Sequence, residues 1–343
     1  MGFRVLKGGL LTTVQDMGRT GYQSQGFGVG GVMDRRSFRI ANMLLDNPEN
    51  EAALECTLIG PTLEFTSPMI IALAGGDFRP ELNDEPVKMY TAIYVKTGDV
   101  LRVGSARTGR CCYIAFSNYL SVPVALGSRS TNLKCALGGF KGRRLEAGDY
   151  IETRIQRRQY LPYFLSRTLP LHEFDGDSAT IRVIMSPQQD RFSKKGIETF
   201  LTSEYTVSTD FDRMGVRLEG PYIETKHGSD IISDGIAYGA IQVPSHGKPI
   251  ALLSDRQTTG GYAKIAVVAS VDIPKLAQRR TDDRVRFVPI TVQQAQRLIR
   301  EEEAELQELR NRIHRPCKEV LEVRLTAKRI ESLMEDGRAY AGS

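Results

Sequence analysis

The sequence predicts a mainly β protein, barrel-like or sandwich-like over most of its length, with a helical extension at the C-terminal end. Three observations carry that expectation. Short apolar runs separated by glycine and proline recur at intervals of about 8–12 residues through residue 290. Helical periodicity before that point is confined to residues 34–46, 189–200 and 272–279. From Thr291 the pattern changes. Val292, Ala295, Ile299, Leu306, Leu309 and Ile313 step by three and four, with Glu301, Glu303, Glu308 and Arg310 outside the stripe.

Taken in order, the first strands are expected in "LECTLIGPTLEF", "MIIALAGGDF", "TAIYVKTGDVLRVG" and "RCCYIAF". "VKTGDVLRV" and "LEAGDYIETR" share a Gly-Asp turn and read as repeated hairpins. Residues 155–179 carry two prolines, basic residues and no clean period, which places the crossing between two halves there. Strands of the second half are expected in "TIRVIM", "GVRLEG", "IQVP", "PIALLSD" and "KIAVVAS". The expected division is 1–165, 166–290 and a helical extension over 291–343. Pro316 breaks that extension, and "CKEVLEVRLTAKRIESLMED" begins a second helix before Gly337. The extension reads as packed on its own barrel in preference to a partner-docking arm.

A chain of 343 residues is long enough for two cores, and 41% apolar with 25% charged residues is ordinary globular usage. The net charge of +5 arises from 46 basic against 41 acidic residues, and the basic clusters are short and scattered. A nucleic-acid stripe would be denser and interleaved with aromatics. No run approaches the ~18 apolar residues of a membrane span, and "MGFRVLKGGLL" lacks the apolar core of a signal peptide. A cytoplasmic protein without a membrane or nucleic-acid partner is expected. The five cysteines include no C-x-x-C and the four histidines show no zinc spacing, so reduced thiols and no metal site are expected. Cys111 and Cys112 are adjacent in a strand-like run, with side chains on opposite faces.

Gly26, Gly28 and Gly31 spell G-x-G-x-x-G ahead of a helix opening at Asp34. A dinucleotide fingerprint needs a buried strand directly before its glycines. The preceding "TTVQDMGRTGYQSQ" contains no run of four apolar residues, so this reads instead as a ligand-facing turn that includes Gly30 and Gly31. No phosphate-loop or nucleophile-elbow signature is present. Four polar segments stand out instead. The densest is "LLSDRQTTGGY", where an apolar strand runs into Asp255, Arg256, Gln257, Thr258, Thr259, Gly260 and Gly261. Such a stretch makes a poor core, and it offers hydroxyls, an amide, an acid, a base and backbone N–H groups to an anionic or carboxylated ligand. The others hold Asp212 and Arg213; Ser128, Arg129, Ser130 and Thr131; and Gln15, Asp16 and Arg19.

These segments, with "GLLTTVQDMGRTGYQSQGFGVGGVMDRRSF", "LGSRSTNLKCALGGFKGRRLEAGD", "TDFDRMGVRLEGP" and "SDGIAYGAIQVPSHGKPIALLSDRQTTGGY" in order, resemble bacterial allophanate hydrolase subunit 2. That family is also described as the C subunit of 5-oxoprolinase, as biotin-dependent carboxyltransferase-like proteins, and as the antagonist of the Kip kinase inhibitor. The resemblance covers roughly residues 5–295. It implies two β-barrel-like halves, the first carboxyltransferase-like and the second cyclophilin-like. "GFGVGGVMD" stands where the family has "GVPxGGAMD".

The resemblance implies one of three roles. The first is the C subunit of an ATP-dependent 5-oxoprolinase complex that opens 5-oxoproline to glutamate. This is a hydrolase acting with a partner of the allophanate hydrolase subunit 1 type (the 5-oxoprolinase B subunit) and a lactam-hydrolase subunit. The second is transfer of carboxylate from carboxybiotin to urea or a related amide, and the third is non-catalytic antagonism of a kinase inhibitor. ATP with magnesium would act in the complex. Biotin would come from another chain, because "VKMY" around Lys88 is no attachment site. In the resulting picture Asp255 to Thr259 line a cleft between the halves, faced by Arg213, Ser128, Arg129 and Gln242. Arg256 or Arg213 neutralises a substrate carboxylate or phosphate, and Asp255 orients or deprotonates the amide nitrogen. Thr258, Thr259 and the Gly260-Gly261 backbone donate to an oxyanion.

Overall fold

The computed structural model describes residues 1–154, 161–171, 174, 176–316 and 331. The helix expected after Pro316 therefore lies outside the described residues apart from Glu331, as do parts of the 155–179 crossing and Cys317. The strands up to residue 152 build two sheets. Tyr150–Glu152, Gly2–Lys7, Thr62–Phe65, Val100–Arg102, Glu81–Leu82 and Glu85–Pro86 form one in that order. Leu11–Gln15, Ala53–Thr57, Thr108–Phe116, Met69–Asp77 and Ala92–Val95 form the other. The sheets share a core in which Phe3 of the first stacks on Phe116 of the second, centroids 4.8 Å apart.

Two expectations are corrected here. The Gly-Asp turns are not hairpins. Ala92–Val95 and Val100–Arg102 pair in different sheets, so the first turn carries the chain from one sheet to the other. Both turns nonetheless use one local device. Gly98 and Gly148 take φ of 88° and 93°, and Asp99 and Asp149 each accept the N–H of the residue three positions back at 2.8 Å. The repeat is thus of turn chemistry, while tertiary pairing decides where each turn leads. The polar stretch before the glycines does contain a strand, Leu11–Gln15. Thr12, Thr13 and Gln15 are buried, and sheet pairing with Ala53–Thr57 holds a run that hydrophobicity alone does not reveal. It still ends well before Gly26, and the short 3-10 turn Gln23–Gln25 intervenes.

The second half closes. Ser178–Met185, Lys264–Val268, Ala240–Gln242, Ile250–Leu252, Gly215–Glu219, Glu204–Val207 and Arg284–Pro289 form a seven-stranded barrel. Its seam is the parallel pairing of Ser178–Met185 with Arg284–Pro289, from Ser178↔Arg284 to Val183↔Pro289. A separate two-stranded ribbon, Asp230–Gly235 with Thr259–Tyr262, stands beside it.

Four α-helices complete the described fold: α1 (Arg35–Leu44), α2 (Lys194–Thr202), α3 (Ile273–Ala277) and α4 (Val292–Ile313). Asp34 caps α1 by accepting Ser37 N–H at 2.9 Å, and Ser193 caps α2 in the same way through Gly196. Thr291 and Gln294 form a capping box at the start of α4. That helix lies on α1, where Glu305 pairs with Arg36 at 2.7 Å and Glu303 with Arg39 at 2.5 Å. Its end is pinned by His314, 2.8 Å from Asp46. Ala295, Leu306 and Ile313 of the apolar stripe are buried, whereas Val292 and Ile299 remain exposed. Over its described length the extension is a packed appendage.

Gln278, just after α3, fastens barrel to sheets. Its Oε1 accepts the N–H groups of Arg110 and Cys111, and its Nε2 donates to Cys111 O and to the cap residue Asp34.

Candidate functional site

The loops that carry the polar segments meet where the five-stranded sheet abuts the barrel. Strand Leu11–Gln15 delivers Asp16, whose buried carboxylate accepts four hydrogen bonds. They come from Gly18 N–H at 2.9 Å and from Ser128 Oγ, Ser130 Oγ and Arg129 N–H at 2.6 Å each. Ser128 and Arg129 therefore do not act as expected. Ser128 holds Asp16 with its hydroxyl, and Arg129 does so with its backbone, because a buried carboxylate needs donors. The Arg129 side chain keeps a buried Nε with no partner.

The glycine loop follows. Gly30 and Gly31 take left-handed φ of 64° and 86°. Gly30 N–H donates to Ser254 O at 3.1 Å, and Ser254 Oγ donates to Val32 O at 2.9 Å, which seats the loop on the barrel. A β-carbon on residue 31 would come within 2.8 Å of Gly18 N, so Gly31 is needed for close backbone approach. Gly30 is different. A β-carbon there would meet only Arg19 Nη1 at 3.4 Å and Asp255 Oδ1 at 3.5 Å.

Asp255 leaves the barrel strand Ile250–Leu252 with its backbone N–H on Arg213 O, and its carboxylate faces the Arg213 guanidinium. Arg213 Nε donates to Asp255 Oδ2 at 2.8 Å and Nη2 to Oδ1 at 3.2 Å. Arg213 Nη2 also donates to Gly31 O at 2.5 Å, and Nη1 donates to Glu55. Burial works against the Arg213 charge, but Asp255 and Glu55 more than offset it, and the guanidinium pKa lies above the ordinary arginine value. Every nitrogen of Arg213 thus has an acceptor inside the protein. Arg213 is a support for Asp255 and not the expected receptor of a substrate anion. Glu55 is in turn fixed by Met33 N–H and Tyr113 Oη, each at 2.8 Å.

Arg256 is 7% exposed and has no carboxylate within 4.0 Å among the described residues. Its Nε and Nη1 donate to Ile236 O and Leu253 O at 3.2 and 3.3 Å, and its guanidinium lies 5.2 Å from the Tyr238 ring. Burial lowers its pKa, Tyr238 acts in the opposite direction, and Arg35 over the same ring lowers it further. Gln257 is half-buried with Oε1 unpartnered, and Thr258 accepts Ile236 N–H through its carbonyl.

Thr259, Gly260 and Gly261 depart from expectation. They belong to the ribbon strand paired with Asp230–Gly235, and Gly260 neighbours Ile236 and Gln242, not Asp255. Buried Gln242, with Oε1 unpartnered, opens onto a separate cavity of about 510 Å³ shared with His246, Lys248 and Tyr262. Strand pairing has split one run of sequence between two places.

Asp255 and Arg213 close one side of a cleft of about 350 Å³. Leu10, Leu11, Met33, Thr57, Arg110, Cys111, Leu133 and Lys134 line it from the sheets, and Phe211, Asp212 and Met214 from the barrel. Arg110 stacks 3.9 Å from the Phe211 ring and donates to its carbonyl at 2.8 Å, bridging the walls. Glu55, Tyr113 and Tyr238 carry no site role in the sequence reading, and Arg19 enters it only within the polar segment of Gln15 and Asp16. A signal for Glu55 exists, as a lone acid inside the apolar strand "ALECT".

The comparisons with known proteins agree with this architecture. Residues 25–289 match the family described as carboxyltransferase domain, subdomain A and B. The chain is 35% identical over 298 residues to the 5-oxoprolinase C subunit of Haemophilus influenzae, covering 87% of this chain and 94% of that protein. It is 32% identical to the Escherichia coli 5-oxoprolinase C subunit, covering 91% and 98%. In structure it is similar to the Kluyveromyces lactis urea carboxylase, with a TM-score of 0.82 at 32% identity over 90% of this chain. It spans 29% of that larger chain.

Proposed function

The chain belongs to the carboxyltransferase domain family, and from that premise we propose that it serves as the C subunit of a 5-oxoprolinase complex. The complex would open the lactam 5-oxoproline to glutamate at the expense of ATP. A partner of the allophanate hydrolase subunit 1 type (the B subunit) and a lactam-hydrolase subunit complete it. The observation that supports this reading best is the placement of Asp255. Arg213 and Glu55 form a buried, charge-matched support, and Asp255 Oδ1 reaches from it toward the side-chain-free position at Gly30. A carboxylate so fixed is suited to orient an amide N–H and to accept its proton. Arg256, with no carboxylate of its own, supplies positive charge for a substrate carboxylate or phosphate.

The described residues hold no group of three or more His, Cys, Asp or Glu side chains placed for a metal ion. In this reading ATP with magnesium acts within the complex. The test is ATP-dependent glutamate formation by the chain co-purified with its partners. Asp255→Ala should abolish turnover while the complex still assembles. Unchanged turnover in that variant would remove Asp255 from the mechanism.

A second reading is favoured by the likeness to urea carboxylase. Here the chain accepts carboxylate carried by biotin on another chain and passes it to urea or a related amide. The apolar lining from Leu10, Leu11, Met33, Leu133 and Phe211 suits a ureido bicycle. Biotin-dependent carboxylation of urea without lactam turnover would select this reading. Silence in both assays would leave the regulatory role.

A further inference from the structure

Arg19 is a charged group in the junction that takes no part in supporting Asp255. It is 1% exposed, among the largest fully buried side chains of the protein. One nitrogen, Nη2, donates to Ser130 O at 2.5 Å, while Nε and Nη1 are buried with no acceptor. Its nearest acids are already committed. Asp16 accepts four hydrogen bonds from its own loops and Asp255 is held by Arg213. Neither lies within 4.0 Å of Arg19 as an ion pair. Burial lowers the Arg19 pKa, and the more distant charges of Asp16 and Asp255 only partly oppose this. Leaving a buried donor unmet costs about 1–3 kcal/mol, and more for a charged one.

Gly30 shows what the group faces. An ideal β-carbon at residue 30 would lie 3.4 Å from Arg19 Nη1 and 3.5 Å from Asp255 Oδ1. A donor and an acceptor thus converge on one point beside Gly30. A carboxylate would suit Arg19 alone, but Asp255 would repel it. A cation would suit Asp255 alone, but Arg19 would repel it. The complementary ligand offers an acceptor and a donor side by side on one edge. Ring closure locks a lactam or cyclic urea into the cis amide that does this, and primary amides and urea also expose such an edge. An open-chain secondary amide is trans and places the two on opposite edges.

We propose that Arg19 and Asp255 together read the edge of a cis amide, Arg19 Nη1 donating to the carbonyl oxygen and Asp255 Oδ1 accepting from the adjacent N–H. This rests on the reading of the junction as the substrate site, and it makes Arg19 a binding residue with its own selectivity for cyclic amides and ureas. Developing negative charge on the carbonyl oxygen would strengthen the same contact.

The test is calorimetric binding to the full-length chain, with 5-oxoproline, imidazolidin-2-one, N-methyl-5-oxoproline and 1,3-dimethylimidazolidin-2-one as probes. N–H probes should bind wild type and lose at least tenfold in affinity in Arg19→Met and Arg19→Lys. N-methylation should cause a comparable loss in the wild type, a comparison that needs no variant and decides the matter if Arg19→Met fails to fold. Equal binding of N–H and N-methyl probes, Arg19-independent binding, or no binding of any N–H probe to wild type would overturn the proposal. Arg19-dependent binding without glutamate formation by the complex would sink the 5-oxoprolinase reading alone. Glutamate formation with Arg19-independent binding would sink this inference alone.

Discussion

The α1–α4 seam and the junction between sheets and barrel are both rich in arginine, and they treat it in opposite ways. On the seam, Arg36 meets Glu305, and Arg39 meets Glu303 and Glu49. In the junction, Arg19 and Arg256 are more deeply buried, yet neither has a carboxylate within ion-pair distance among the described residues. Arg213 stands between the two cases, buried in the junction but matched by Glu55 and Asp255. The contrast separates arginines matched by carboxylates from arginines buried without one. Surface pairs contribute little and are screened by salt, whereas an unmatched buried cation is retained against a standing cost.

The largest expected effect breaks the matched case. Arg213→Met leaves Glu55 and Asp255 buried without a counter-charge, and stability should fall by about 3–5 kcal/mol along with activity. Urea unfolding checks it, and unchanged stability would mean that charge matching does not distinguish these arginines. Arg256→Ala sharpens the other side. It loses packing on Tyr238 and two long hydrogen bonds, so stability should fall by only about 1–2 kcal/mol while turnover is abolished. Stability falling as far as activity would make Arg256 structural.

Two neighbours on α4 give a smaller test of sign. Arg39 holds the Glu303 carboxyl below its ordinary pKa, so its contribution is present above the unfolded value of about 4.3 and fades as pH falls through the folded one. Burial pushes Glu302 the other way, so its charged form opposes folding above that range and protonation relieves this as pH falls. At pH 7, Glu303→Gln should destabilise by about 0.3 kcal/mol and Glu302→Gln should stabilise by less than about 1 kcal/mol. Both differences should shrink toward pH 3, read by urea unfolding at each pH. The smallest effect is chemical. Native-state iodoacetamide should label Cys135, next to Lys134 on the cleft rim, without changing stability. Cys56, Cys111 and Cys112 should resist, because burial raises their thiol pKa. Peptide mapping reads the outcome.

Much of the site was legible because polar residues crowding a turn are costly to a core. "LLSDRQTTGGY" and "TDFDRM" contain the Asp255 and Arg213 that the structure brings together. What was not legible was the direction of each side chain. Ser128 and Arg129 lie in the right loop but serve Asp16, and Thr259 to Gly261 follow Asp255 in sequence yet pair into the ribbon. The strand Leu11–Gln15 stays hidden in the sequence because its Thr and Gln side chains are buried by pairing, not by hydrophobicity.

The sequence by itself determined the β-rich class, the helical start at Asp34, the onset of the helical extension at Thr291 and several of the polar loops that meet at the junction. These follow from local rules of turn residues, caps and periodicity, which need only a few neighbouring positions. Tertiary structure alone decided which sheet each Gly-Asp turn enters, that the second half closes through a parallel seam, and which arginines are neutralised. Charge matching depends on distances between residues such as Arg213 and Glu55, far apart in the chain and adjacent only when sheets and barrel have packed.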